Sequence, residues 1–269
     1  MQDVLKYLKW KITERGARII GCDEEFEGAM EIPSCLDGAA VVEIGKDAFL
    51  ERRSLRSVAI PDSVEVVGKY AFAFCHWLEE LHLGAGIKKI GKGAFWGCRL
   101  LKRVAVPDSV ENVGVLAFFA CYELEELHLG AGIKKIEYGA FDSCRSLKSV
   151  AIPDSVEVVG EDAFKECSGL EELQLGAGIR KIEKSAFSLC KSLKRVAVPD
   201  SVEVVGEGAF AGCHGLKELR LGRGIKKIEK GAFIDCSSLR RVVLPSTLKE
   251  LARDEFGKNV DLVVVDDER

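Results

Sequence analysis

Apolar residues return along most of this chain in one hexamer, Leu-x-x-Leu/Val-x-Leu/Ile/Val. Examples are "LRSVAI" at 55–60, "LEELHL" at 78–83 and "LKRVAV" at 101–106. Alternation of this kind predicts a β-strand with one face buried. A turn signal follows each strand, Pro-Asp-Ser-Val in one copy and Gly-Ala-Gly-Ile in the next. Then comes Ala-Phe-x-x-Cys, short enough for one helical turn. Its phenylalanine recurs every 23 residues, at Phe49, Phe72, Phe95, Phe118, Phe141, Phe164, Phe187, Phe210, Phe233 and Phe256. A cysteine stands three residues later from Cys75 to Cys236, whereas the first such slot holds Arg52.

A strand, a turn and a short helical piece cannot bury an apolar face alone, so successive copies must stack into a solenoid. The pattern therefore predicts an α/β repeat solenoid with 23-residue coils and a parallel β-sheet on one face. Residues 44–251 hold nine regular repeats, stacking to ~43 Å at strand spacing. Residues 1–43 are expected to form an N-terminal cap with a degenerate first coil. Residues 252–269 are expected to form a C-terminal cap and acidic tail, because Phe256 keeps the register while the Ala and Cys are lost.

The repeat "IPDSVEVVGEDAFKECSGLEEL" and its copies resemble the BspA-like class of leucine-rich repeats over about residues 10–265. That resemblance implies a right-handed leucine-rich-repeat coil. It also implies a non-enzymatic role in binding a protein partner, with adhesion at a cell surface as the family's usual setting.

The true period is 46, because Pro-Asp-Ser-Val and Gly-Ala-Gly-Ile coils alternate. Stacked in register, one column reads Arg56, Glu79, Lys102, Glu125, Lys148, Glu171, Lys194. Another reads Glu65, Lys88, Glu111, Lys134, Glu157, Arg180, Glu203, Lys226. Opposite charges on neighbouring strands stabilise and like charges destabilise. Charge alternation, alongside duplication, is therefore expected to maintain the doubled period. These residues read as solvated ladders and not as acid–base pairs.

Composition adds little chemistry. The formal charge is −4 over 269 residues, which argues against a general nucleic-acid binder with its basic footprint. Apolar runs such as "LVVV" at 262–265 are far too short for a membrane span. The start shows no signal-peptide pattern, so the chain taken as given is expected in the cytoplasm, with a surface location as the alternative from the resemblance. Cysteines 23 residues apart do not converge on a metal as Cys-x-x-Cys pairs do. They are expected to be buried and reduced, each beside the Phe of its own coil. Cys22 and Cys35 lie outside that column, free to pair or not. His82 and His128 sit two coils apart, too far to share a zinc ion. "GAGIKKIGKG" at 84–93 nearly spells a phosphate loop, yet Gly93 stands where Ser or Thr should hold magnesium. No catalytic, cofactor or metal residue is assigned.

Differences between copies mark surface that the fold leaves free. Large apolar residues gather in the slots around Ala-Phe-x-x-Cys of three consecutive coils: Tyr70, Phe74, Trp77, Trp96, Leu100, Leu116, Phe119 and Tyr122, with His76 among them. Local packing against the cap is one reading of them. A contiguous exposed patch used to bind a protein partner, or for self-association, is the other and the preferred one. Near the C-terminal end the charge ladders break, and Lys217, Arg220, Arg223, Arg240 and Arg241 mark a second, basic region. A passive spacer or assembly scaffold is the remaining alternative.

Overall fold

In the computed structural model, which describes residues 4–250, 255–256 and 260–265, the hexamers form strands such as Leu55–Ala59, Glu80–His82 and Arg103–Ala105. Their central Val or Leu is buried and the flanking residues face solvent, as alternation requires. Successive coils pair in parallel with a register of 23 residues, for example Val58 with Leu81 and Val104 with Leu127. The expected sheet is therefore present, but it is interrupted twice, between Glu80–His82 and Arg103–Ala105 and between Glu172–Gln174 and Arg195–Ala197.

A second parallel ladder runs along another side of the coil. Two-residue strands such as Val66–Val67, Lys89–Ile90 and Asn112–Val113 stack on one another. They belong to a 12-stranded sheet that begins with the antiparallel hairpin Leu8–Thr13/Gly16–Cys22. That hairpin pairs through Gly16–Cys22 with Ala39–Ile44 and closes the N-terminal end of the core. The sheet is thus not confined to one face. Two-residue strands carry too little alternation to be read from sequence.

The third side corrects the expected helical turn. Among the described residues helix is confined to the two ends of the chain, a 3-10 turn at Val4–Tyr7 and helical residues at 246–250 and 255. Ala-Phe-x-x-Cys is instead a run of turns. Backbone φ is positive two residues before and two after each Phe, in every coil from Asp47 to Asp235. Alternate N–H groups point in opposite senses. The amides of Tyr70, Phe72 and Phe74 donate to Lys92, Ala94 and Trp96 of the next coil, at 2.9, 2.7 and 2.7 Å. The amides of Ala71, Ala73 and Cys75 close turns within their own coil, onto Gly68, Tyr70 and Phe72. A helix would spend these donors internally and leave the coils unjoined on this side. At the last coil the Glu255 carboxylate accepts from the Phe233 amide at 3.1 Å, in place of a further coil's carbonyl.

The phenylalanine column is the core. Rings from Phe49 to Phe233 stack nearly parallel, with centroids 4.7–5.5 Å apart. Phe26, one period before Phe49, is also buried and packs edge-on against Tyr7. The cysteine column lies beside the rings, and its residues are free thiols. Each thiol donates to the Phe carbonyl of the coil before its own, from Cys75 to Phe49 at 3.1 Å through Cys236 to Phe210 at 3.3 Å. Burial pushes the Cys75 thiol up to about 12, which keeps it protonated. Cys236 is half-buried and Cys35 is exposed and unpaired.

The doubled period has a steric cause as well as an electrostatic one. Ion pairs do join neighbouring coils, as Arg56–Glu79 at 3.2 Å, Lys88–Glu65 at 2.9 Å and Lys226–Glu203 at 2.9 Å. The turns interlock more tightly. Asp108 of one turn accepts from the Ala131 amide of the next coil at 2.7 Å. Ser109 donates to Ala85 and Ile87 of the coil before, at 2.7 and 2.6 Å. A Cβ placed on Gly132 would collide with the Asp108 carbonyl oxygen. A Pro-Asp-Ser-Val turn therefore needs a glycine turn on its C-terminal side, which excludes two such turns in succession.

Candidate functional site

The two left-handed slots of the third side govern how the variable residues lie. Glycine fills them at Gly93, Gly97, Gly139, Gly208, Gly212 and Gly231, and Asp, Ser, Glu or Ala fill most others. Tyr70 (φ 55°), Phe74 (φ 60°), Leu116 (φ 55°) and, in a later coil, Leu189 (φ 60°) hold the same conformation with bulky side chains, at a cost of roughly 1 kcal/mol each. Each lies down over a glycine of the next coil: Tyr70 over Gly93, Phe74 over Gly97, Leu116 over Gly139 and Leu189 over Gly212. A Cβ at Gly97 would come within 3.0 Å of the Phe74 ring. The glycines are seats for the rings.

Trp96 stands between these coils. Its ring centre is 6.1 Å from Tyr70, 5.5 Å from Phe74 and 5.4 Å from Phe119, the last contact edge-on. His76 completes the group, 5.9 Å from Phe74, with Nδ1 hydrogen-bonded to the Gly97 carbonyl at 2.9 Å. His214, in the same slot of a later coil, makes the same bond to Asp235 at 2.9 Å, so this bond belongs to the repeat and the ring contact to the site. All of these side chains are half-buried, with one face packed on the coil and the other toward solvent.

Among the described residues the other named aromatics make no ring–ring contact with this cluster. Trp77 is 48% exposed and stacks under the Arg56 guanidinium at 4.6 Å. It borders a cavity shared with Glu27 and Gly28 of the N-terminal region and with Arg53. Tyr122 lies between Arg99 and Arg145, at 5.9 and 5.0 Å. Leu100 is half-buried. The structure adds Tyr138, 44% exposed, whose carbonyl accepts from the Leu116 amide at 2.9 Å. An isolated aromatic one slot away from the others gave no signal in sequence.

Beyond Phe119 the same slot holds Asp142, followed by Lys165. Burial, helped by the charges of Asp162 and Glu166 and opposed by the Ser143 hydroxyl and Lys165, raises the Asp142 carboxyl to about 6. The aromatic surface thus gives way to an acidic one.

The basic region is divided. Lys217, Arg240 and Arg241 line one cleft together with Lys194 and Arg195. Arg220 is exposed on its strand outside that lining, and Arg223 sits in a turn with its amide on Asp200. Among the described residues no group of three or more His, Cys, Asp or Glu is placed to hold a metal, and no helix is long and apolar enough to cross a membrane.

A family model for the BspA type leucine rich repeat region matches the chain in six copies, over residues 42–171 and 134–263. Several solved structures are similar. A leucine-rich-repeat protein of T. pallidum shares 26% identity, over 96% of this chain and 97% of that one, with a TM-score of 0.50. One from Bacteroides ovatus shares 22% over 98% and 100%, with a TM-score of 0.46. A leucine-rich cell surface protein from Faecalibacterium prausnitzii shares 21% over 88% and 93%, with a TM-score of 0.41. No curated protein matches the chain.

Proposed function

The chain belongs to the BspA-type leucine-rich-repeat family, and from that premise we propose that it is a non-enzymatic interaction module. Its protein partner docks on the surface formed by Tyr70, Phe74, Trp96 and Phe119, with His76 and Leu116 at the margin. One observation carries this reading. Tyr70 and Phe74 set aromatic rings in left-handed slots that glycine fills at lower cost in sibling coils, with Trp96 against both and Phe119 against Trp96. The repeat does not need them, because coils with glycine, serine or aspartate there carry the same backbone bonds. Rigid aromatic faces lying flat on a scaffold suit protein recognition, where such anchors cost about 2 kcal/mol or more when truncated. Trp77 and Tyr122 are neighbouring contacts of the same end of the solenoid, each set against arginine.

The test is the pair Trp96→Ser with Phe119→Ser, beside Trp77→Ser as a separate protein. Capture of partners from the source cells and the oligomeric state are measured together with circular dichroism. A folded Trp96/Phe119 variant that loses a partner or an oligomer held by the wild type supports the proposal. A folded variant that keeps every partner and the same oligomeric state overturns it. A large fall in melting temperature shows that the rings serve packing and overturns it as well.

A further inference from the structure

Lys217 interrupts the strand-corner column that otherwise alternates in sign from Arg56 to Lys194, and Arg240 follows it. The backbone ties the three cations to successive coils. The Lys217 amide donates to Lys194 at 2.9 Å and the Arg240 amide to Lys217 at 3.0 Å. Lys194 is paired with Glu171. Arg240 turns its guanidinium onto the carbonyls of Ser237 and Leu239, both at 3.0 Å. Lys217 reaches no carboxylate among the described residues. Like charges on adjoining strands work against the fold, and glutamate in this slot would remove the conflict, as Glu79, Glu125 and Glu171 do.

The same residues wall a cleft of about 820 Å³. It opens where the strand ladder is interrupted between Glu172–Gln174 and Arg195–Ala197. There the Lys194 amide bond to Glu171 stretches to 3.4 Å, against 2.8 Å for the Glu171 amide bond one coil earlier. Five cations line it (Lys194, Arg195, Lys217, Arg240, Arg241) against three carboxylates (Glu171, Glu172, Glu218), with the half-buried Leu173 on its wall. The other interruption of the ladder also holds a cavity, of about 360 Å³. Its walls are balanced, Glu79 and Glu80 against Lys102 and Arg103. Of the two interruptions, the C-terminal one carries the excess of positive charge.

We infer that this cleft binds an acidic peptide segment, its carboxylates on Lys217 and Arg240 and an apolar side chain against Leu173. The three glutamates disfavour a dense polyanion such as nucleic acid, while leaving room for spaced carboxylates. This site is separate from the aromatic surface, so either can fail without the other.

The test is fluorescence anisotropy with a labelled dodecapeptide of repeating Asp-Leu-Glu, titrated with wild type and with Lys217→Glu. The variant restores the alternating column, so it is expected to fold with an equal or higher melting temperature. The wild type should bind saturably and the variant about tenfold more weakly, while Trp96→Ser binds as wild type. Equal affinity for the two proteins, no saturable binding by the wild type, or tighter binding of a single-stranded oligonucleotide of matched charge would each overturn the assignment.

Discussion

Phe141→Ala would cut the core column near its middle. The ring is fully buried, stacked on Phe118 at 5.3 Å and 3° and on Phe164 at 5.2 Å and 12°. Burying an aromatic side chain removes about 150–250 Å² from water, and at about 25 cal/mol/Å² that is worth about 4–6 kcal/mol. Alanine keeps a small part of it. Two ring–ring contacts are lost as well, and backbone bonds to Ala163 and from Cys144 hinder collapse of the cavity. Measured losses for such changes run about 3–5 kcal/mol, so about 4 kcal/mol is expected here. In a solenoid each coil touches only its neighbours. The lesion should therefore weaken the coupling between halves as well as total stability. The three tryptophans, Trp10, Trp77 and Trp96, all lie before residue 141. Their fluorescence reports the N-terminal half alone, whereas far-ultraviolet circular dichroism reports the whole sheet. In urea the two signals should coincide for the wild type and separate for the variant. A loss below about 1 kcal/mol with coincident transitions would refute both the stacked core and the nearest-neighbour reasoning.

Gly132→Ala should lower stability by about 1–3 kcal/mol or more, because its new methyl meets the Asp108 carbonyl, while Ala131→Arg next door should be nearly neutral, as Arg223 already fills that slot. Thermal melts of the two variants check the contrast, and equal losses would count against the interlocked turns. Asp142 carries a folded-state pKa of about 6, raised above the ordinary carboxylate range near ~3.9. The raised value means that its contribution is fully present below about pH 3.9 and is lost as pH rises through 6. Asp142→Asn should therefore stabilise the protein at pH 7 by about 1 kcal/mol after solvent screening and flatten its melting profile between pH 4 and 6. An unchanged profile would place that carboxyl in water.

The sequence alone determined the period, the buried phenylalanine and cysteine columns, the hexamer strand and the places where the ladders change character. Those features depend on side-chain type repeated at fixed spacing, and a repeat protein carries its own copies for comparison. Tyr70, Phe74, Trp96 and Phe119 were legible for the same reason, as departures from a slot that is polar or small elsewhere. The tertiary structure decided what spacing does not encode. The left-handed slots accept Asp, Tyr, Gly, Leu and Ser alike, since their φ is imposed by amide bonds to the next coil, so no glycine pattern announces them and a helical turn was the natural expectation. Trp77 and Tyr122 share the aromatic type but stand in slots after the Cys, where their rings meet the guanidinium groups of Arg56 and Arg145 of neighbouring coils. Lys217, Arg240 and Arg241 share a cleft where the strand ladder is interrupted, while Arg220 and Arg223 lie outside it. Register shared between neighbouring coils, and not the identity of any one residue, sets which of these side chains meet.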